Sequence, residues 1–414
     1  MNNPEMYLVD TYQAVQKVPT RNGFGEALVD LGGKNKDVVV LCCDLTESTR
    51  AQGFKDKYLD RFFEVGVAEQ NLAGIAAGLA LWGKTPFICS YGVFSPGRNW
   101  DQIRVSICYS QANVKIAGAH TGVTVGPDGA THQALEDVAC MRVLPNMTVI
   151  VPCDTVETKK ATIAAAQIRG PVYLRFGRDK MAVVTTEDTP FVVGKAQVFR
   201  EGSDAVVVAS GPLVYEALLA AQQLEKEGLS ICVVNCSTIK PLDEQTLVEV
   251  ARKTGCVVTA EEHQVLGGLG GAVTEVLSQH CPVPIERIGM PDRFGESGES
   301  AELMKAFGMS AENIIKSIRS VIQKKKTRTC LMNVQNPAEH FYLPDGRQLK
   351  NLVELVIALE TMDDLAYSKH VTSDKNDFAS WIEHVLKNHS LADQVRSAPD
   401  KKEMAQLILE KING

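Results

Sequence analysis

Residues 37–43, DVVVLCC, decide how the rest of the chain is read. After the aspartate there is no alternation of polar and apolar residues. A short run that is apolar throughout and rich in valine fits a strand covered on both faces. Four similar runs follow: TPFICS (85–90), NVKIAG (113–118), MTVIVP (147–152) and PVYLRF (171–176), with helical patterns between them. Continuous apolar strands separated by helices predict a parallel sheet with helices on both faces. A second alternation contains AVVVAS (205–210), SICVVN (230–235), GCVVTAEE (255–262) and VPIERIG (283–289). Between the two lies VVTTEDTPFVVGKAQ (183–197), polar at first and interrupted by Pro190, which reads as a linker. The basic run KKKTR (324–328) reads as another break. Beyond it come three helical patterns: LKNLVELVIALETM (349–362), KNDFASWIEHVLKN (375–388) and KKEMAQLILEKI (401–412). The expected division is therefore 1–186, 187–324 and 325–414: two parallel-sheet α/β domains followed by a small all-α domain.

Composition narrows the function. The 414 residues are 45% hydrophobic and 22% charged, as in ordinary globular proteins. A net charge of −7 without a basic stripe argues against wholesale nucleic-acid binding. The opening MNNPEMYLVDTYQ (1–13) has no basic-then-apolar signal region, and no apolar run is long enough to span a bilayer. Eleven cysteines without a Cys-x-x-Cys pair suggest reduced thiols in a cytoplasm. Cys42, Cys89, Cys232 and Cys256 lie in or beside strand-like runs and are expected to pack in the core.

The chemistry gathers where strands end. In open parallel sheets, ligand groups collect at the carboxyl ends of the strands. Asp44 and Ser48 follow the first run, Tyr91 and Phe94 the second, His120 the third, and Arg178 the last of the first section. The segment FFEVGVAEQNLAGIAAGLALW (62–82) adds Glu69, an acid at the head of a small-residue helix that reads as buried. A desolvated carboxylate is costly unless something pairs with it. Singly, each residue has a plainer reading. Glu69 could complement the helix dipole, Asp44 could cap a turn, the histidines and aromatics could be core, and Arg178 could be a structural ion pair. Convergence at one sheet edge favours a site.

These motifs carry a resemblance. RFFEVGVAEQNLAGIAAGLALWGKTPF, DGATHQALEDVACMRVLPNMTVIVPCD and GPVYLRFGR closely resemble the pyrimidine-binding domain of transketolases, which are thiamine diphosphate enzymes. STIKPLD, TAEEHQVLGGLG and IGMPDRFGESG resemble the domain that follows it in that family, so the likeness covers roughly residues 20 to 322. The resemblance implies that Glu69 hydrogen-bonds a ring nitrogen of the aminopyrimidine and promotes loss of the thiazolium proton. It implies that Tyr91 and Phe94 pack that ring and that Asp44 and Leu45 lie near the thiazolium. Gly97 stands where relatives often have a third aromatic. Arg21, Ser48, His120 and Arg178 fall where transketolases bind the sugar phosphate, Asp128 where a substrate hydroxyl is recognised, and His132 where the reacting end is contacted. The implied reaction moves a two-carbon ketol unit from a ketose phosphate to an aldose phosphate in the non-oxidative pentose phosphate pathway.

Deoxyxylulose-phosphate synthases are the runner-up, but they usually carry a DRAG-type motif near the position of His120. A scaffold that kept the fold without the activity is the third reading; Glu69, His120, Asp128 and His132 count against it. No Gly-Asp-Gly motif for magnesium and diphosphate occurs in the chain. The resemblance therefore implies one half of a split transketolase, needing a separate N-terminal subunit that holds most of the Mg2+ contacts, in a dimer of heterodimers. The tail resembles a small uncharacterised helical domain, with Phe378, Trp381 and Leu386 as expected core and a docking or regulatory role. His370, His384 and His389 match no trusted metal-ligand spacing.

Overall fold

The computed structural model describes residues 8, 9, 12 and 15–413, without the side chains of Thr329, Cys330 and Asn413. Most of the 1–13 stretch read above for a targeting signal lies outside the described residues. Two compact units emerge, one ending at Val321 and the other beginning at Ile322.

Strands of the first unit, in chain order, are β1 (Lys17–Pro19), β2 (Val38–Cys42), β3 (Phe62–Glu64), β4 (Thr85–Tyr91), β5 (Lys115–Ala119), β6 (Thr148–Ile150) and β7 (Val172–Phe176). Then come β8 (Lys180–Ala182), β9 (Gln197–Arg200), β10 (Ala205–Ala209), β11 (Ile231–Asn235), β12 (Thr238–Lys240), β13 (Val257–Gln264) and β14 (Ile285–Met290). A seven-stranded sheet runs β12-β6-β7-β5-β4-β2-β3, and a five-stranded one β14-β13-β10-β11-β9. Both are parallel except at one edge, where β12 and β9 run antiparallel. All nine predicted strands are present. β2, β5, β7, β10 and β11 are buried at every residue, as unalternating apolar runs require.

Helices follow ordinary start signals. Asp154 caps the helix Thr155–Gln167 by accepting from the Glu157 N–H, and Asp243 caps Glu244–Thr254 in the same way. The helix Thr20–Lys34 packs beside Thr155–Gln167, and Gly23 allows the approach: a Cβ there would lie 2.0 Å from the Thr155 carbonyl oxygen. One face of the larger sheet packs Phe24, Leu28, Phe54, Phe87 and Leu174. The other shares a single apolar cluster with the second sheet, joining Leu72, Ile88 and Val149 to Val206, Val234 and Leu269.

Three expectations change. The 62–82 segment forms a helix, Glu69–Leu81, that is buried on one side only. Glu69, Leu72, Ala73, Ala76 and Ala77 face inward, whereas Leu81 and the following Trp82 are 71% and 84% exposed. Small residues made the run look buried all round, but they lie on both faces. The basic run 324–328 is helical rather than a loop, lying within the helix Ala311–Leu331 a few residues beyond the boundary between the two units. The tail is helical with one addition, an antiparallel pair Phe341–Tyr342 and Gln348–Leu349 closed by a turn at PDG (344–346). Phe378 and Trp381 are buried in the tail's core, and Leu386 packs against it. Cys42, Cys89, Cys232 and Cys256 are fully buried. No described helix is long and apolar enough to cross a membrane.

Candidate active site

The carboxyl ends of β2, β4, β5 and β7 deliver Asp44, Tyr91, His120 and Arg178 to one edge of the larger sheet. Glu69 joins them from the helix that follows β3, and Arg21 from the second position of the helix Thr20–Lys34.

Glu69 is 3% exposed, and its partners lie within the chain. Ser90 Oγ donates to Oε1 at 3.2 Å, and Arg98 Nη1 donates to Oε2 at 3.3 Å. Asn99 Nδ2 donates to the Glu69 carbonyl at 3.1 Å. Arg98, which lies over the Phe94 ring at 4.2 Å, was not singled out in the sequence. Its signal was position: four residues after Phe94, one helical turn along the same connection.

The rings form a small cluster. Tyr91 and Phe94 stack with centroids 5.8 Å apart, and His132 stands edge-on to both at 6.1 and 5.6 Å. Gly97 adds no third wall: a Cβ there would meet the Val93 carbonyl oxygen at 2.0 Å, so the backbone excludes any larger residue.

A polar group adjoins the rings. Tyr91 Oη and Ser48 Oγ are 2.6 Å apart. Arg21 Nη1 donates to the Ser48 carbonyl at 2.9 Å and lies 3.1 Å from His120 Nε2. The same Nε2 lies 3.2 Å from the Ser48 carbonyl oxygen, so it accepts from Arg21 in one tautomer and donates to Ser48 in the other. Burial, Arg21 and Arg178 push the His120 pKa down to about 3, so the ring is uncharged at neutral pH. His120 Nδ1 and Arg21 Nε are buried without a partner among the described residues. Two such atoms on residues that touch each other suit a site completed by a ligand. Asp44 and His120 also adopt positive φ, 57° and 56°, the kind of strain that clusters at sites.

Arg21, Asp44, Leu45 and Ser48 line an open cleft of about 630 Å³, together with Arg50 and Lys55, which sequence reasoning missed. Glu64 shapes its floor by accepting from the Asp44 N–H at 2.6 Å and from Thr46 Oγ1 at 2.9 Å. Arg178 and Asp128 pair with each other at 2.8 Å. Most of the predicted site residues thus share contacts, while the Arg178–Asp128 pair stands apart and reaches Arg21 and His120 only through the charge of Arg178. Of the tail histidines, His370 pairs with Asp377 and His389 with Glu383, and no metal-ligand cluster occurs among the described residues.

The two sheets and this edge define a thiamine-type α/β architecture, and the comparisons specify it. Residues 16–183 match the model of the transketolase pyrimidine-binding domain, and residues 194–314 that of the transketolase C-terminal domain. The chain is 42% identical over 308 residues to a putative transketolase C-terminal section from Methanocaldococcus jannaschii, covering 74% of this chain and 96% of that one. It is 37% identical to one of the subunits of the apulose-4-phosphate transketolase of Phocaeicola vulgatus, covering 74% and 98%. Of human transketolase, 36% identical over 326 residues, it spans 52%. A solved split-gene transketolase, an inactive beta4 tetramer, is 46% identical with a TM-score of 0.70, covering 74% of this chain and 99% of that one. The chain belongs to the transketolase family and corresponds to its C-terminal section. Membership implies dependence on thiamine diphosphate.

Proposed function

We propose that the chain is the C-terminal subunit of a two-subunit transketolase. It transfers a two-carbon ketol unit from a ketose phosphate to an aldose phosphate, in the non-oxidative pentose phosphate pathway of the cytoplasm, when joined to a separate N-terminal subunit. The observation that carries this reading is the meeting of the Glu69 carboxylate, the Tyr91–Phe94 rings and a cation-lined cleft at one sheet edge.

The donor set suits the cofactor: a buried acceptor at Glu69 and two flat apolar faces match an aminopyrimidine. Thiamine diphosphate, when bound, supplies the nucleophilic carbon. Glu69 holds a proton at the pyrimidine nitrogen, and Ser90 and Arg98 orient its carboxylate. Tyr91 and Phe94 exclude water from that proton. Asp44 and Leu45 border the thiazolium side. His132, braced edge-on by both rings, faces the reacting end of the substrate. His120, kept neutral, hydrogen-bonds substrate rather than acting as an acid. Arg21, Arg178 and Ser48 take the phosphate, for which guanidinium forks are well matched. Asp128 reads a substrate hydroxyl. Magnesium is assigned mainly to the partner subunit.

The bare outer face of the helix Glu69–Leu81, with Gly74, Ile75, Gly78 and Leu81, supports a contact between two copies. We also propose the division 1–186, 187–324 and 325–414, with the last part serving docking or regulation.

The purified chain with thiamine diphosphate and magnesium is expected to show no ketol transfer, and activity is expected on adding the N-terminal subunit. Robust transfer by the chain alone would overturn the proposal. Arg21→Ala is expected to raise the Michaelis constant for phosphorylated sugars by roughly ten- to a hundredfold, the loss of one charge-assisted contact. Unphosphorylated sugars are expected to be affected far less. An equal rise for both would make Arg21 structural.

A further inference from the structure

His120, Asp128 and His132 lie on one connection, and its backbone has little reason to hold a single shape. The base is pinned, with Thr121 bridging Ala134 and the Gly122 N–H bonded to the Ala134 carbonyl at 2.9 Å. Between these ends, Gly122 and Gly129 sit at φ 80° and 73°, a region glycine enters freely and leaves as freely. The turn Val123–Asp128 also kinks at Gly126. The loop's own bonds, from the Gly129 N–H to the Gly126 carbonyl at 3.1 Å and from the His132 N–H to the Gly129 carbonyl at 2.9 Å, leave Thr124 to be fixed from outside.

Arg178 fixes part of the loop, donating to the Val125 carbonyl at 3.2 Å and pairing with Asp128, and the contacts that hold Thr124 come from the second α/β half. The Glu262 carboxylate, at the end of β13, accepts from the Thr124 N–H at 2.7 Å. It is 3% exposed and lies so close to Gly122 that a Cβ there would be 2.2 Å from its carboxyl carbon. Ser300 Oγ donates to the Thr124 carbonyl at 3.1 Å, so both polar atoms of that residue's backbone are held from the same side. Gln133 Nε2 bridges the Val123 carbonyl at 3.1 Å and the Glu296 carbonyl at 2.9 Å. Ser297 meets the far end of the loop, 2.5 Å from where a Cβ of Gly129 would be. The motifs TAEEHQVLGGLG and PDRFGESG, which have no part in the site itself, thus meet on one loop.

We infer that Glu262 is a positioning residue, which with Ser300 clamps the Gly122–Gly129 loop so that Asp128 and His132 face the ketose substrate. This rests on the transketolase reading only for the substrate it names; the clamp itself is a property of the isolated chain. A fixed loop spares the substrate the ordering of its own binding groups, and a misplacement near 1 Å is enough to cost about 10²-fold. Glu262→Gln keeps an oxygen that accepts from Thr124, whereas Glu262→Ala removes it and leaves a hole.

Two measurements test the clamp. In the isolated chain, amide hydrogen exchange of residues 122–134 is expected to quicken at least tenfold in Glu262→Ala, stay near wild type in Glu262→Gln, and quicken in Ser300→Ala. Ser300 is only partly buried, so its variant remains informative should Glu262→Ala fail to fold. In the complex with the N-terminal subunit, kcat/KM for the ketose phosphate is expected to fall about 10²-fold in Glu262→Ala, mainly through KM, and to recover in Glu262→Gln. Unchanged loop exchange in Ser300→Ala and in any folded Glu262→Ala overturns the inference, as does a Glu262→Gln variant no better than Glu262→Ala. If the wild-type complex shows no ketol transfer, the functional proposal fails, and the exchange data still decide the clamp.

Discussion

Exchange of the thiazolium proton for deuterium is expected to slow by about 10²–10⁴ in an assembled Glu69→Gln enzyme, the usual cost of losing a positioned acid–base group. The substitution keeps the size of the side chain and its polarity but removes the group able to share a proton with the pyrimidine nitrogen. Glu69 has a competing structural role, because Ser90 and Arg98 both bond its carboxylate and it heads a helix. That role predicts a different outcome. A helix-terminal carboxylate contributes about 0.3–1 kcal/mol to stability, and an ion pair whose arginine is 52% exposed adds at most a similar amount. If Glu69 were only structural, the variant would melt slightly earlier and exchange the proton at the wild-type rate. Exchange rates that agree, measured with the cofactor saturating, would remove Glu69 from the chemistry. Arg98→Ala makes a useful companion, expected to lower the rate less, since it leaves the carboxyl group in place.

Arg175→Leu is expected to destabilise the first unit by about 3–5 kcal/mol, the range seen when one partner of a buried ion pair is removed. For a unit of this size that corresponds to a fall in Tm of roughly 4–8 °C. Arg175 and Asp137 are 4% and 1% exposed and 2.8 Å apart. Tyr173 donates to the same carboxylate oxygen at 2.7 Å, and Asp137 Oδ1 has no hydrogen-bond partner among the described residues. The guanidinium also donates to the carbonyls of Ala134 and Glu262, so one side chain ties both halves of the unit together. Burial acts to raise the Asp137 pKa, but Arg175 and the hydrogen bonds outweigh it and hold it below the usual carboxylate value. A group depressed in this way contributes stability above its unfolded pKa, and that contribution is lost as pH falls through the folded one. Without Arg175 burial is opposed only by His263 and the Tyr173 hydrogen bond, so the Asp137 pKa is expected to rise and protonation to relieve part of the buried charge. The variant's deficit is therefore expected to be larger at pH 7 than at pH 4. An equal deficit at both values would show that Arg175 matters for packing rather than charge. Arg178→Ala is the contrast: its pair with Asp128 is 39% and 33% exposed, so stability should change by less than about 1 kcal/mol.

Much of this could be read from residues alone, and particular elements show why. DVVVLCC and PVYLRF announce buried parallel strands because the hydrophobic effect acts on every residue of a strand covered on both faces. The positions after those strands hold the site because backbone direction puts all carboxyl ends at one edge. The strands that were not foreseen are short. β3, β8 and β12 have three residues each, too few to show a period. The last, Thr238–Lys240, belongs by sequence to the second alternation, yet it pairs with β6 in the first sheet, against Ile150 and Val149. No local pattern reports a partner so far along the chain.

The site divides in the same way. Which residues carry chemistry followed from residue type and position: an acid heading a small-residue helix, aromatics and a histidine after strands, an arginine after the last. Tertiary structure decided what each of them touches. It placed Arg98 on Glu69, put Arg50 and Lys55 in the cleft with Arg21 and Ser48, and buried His120 beside Arg21 so that its charge is lost. It also left one face of the Glu69 helix bare and brought Glu262 onto the glycine loop. The difference is one of range. Periodicity and strand direction arise from neighbours within a few residues, whereas desolvation, ion pairing and loop clamping depend on groups brought together only when distant segments pack.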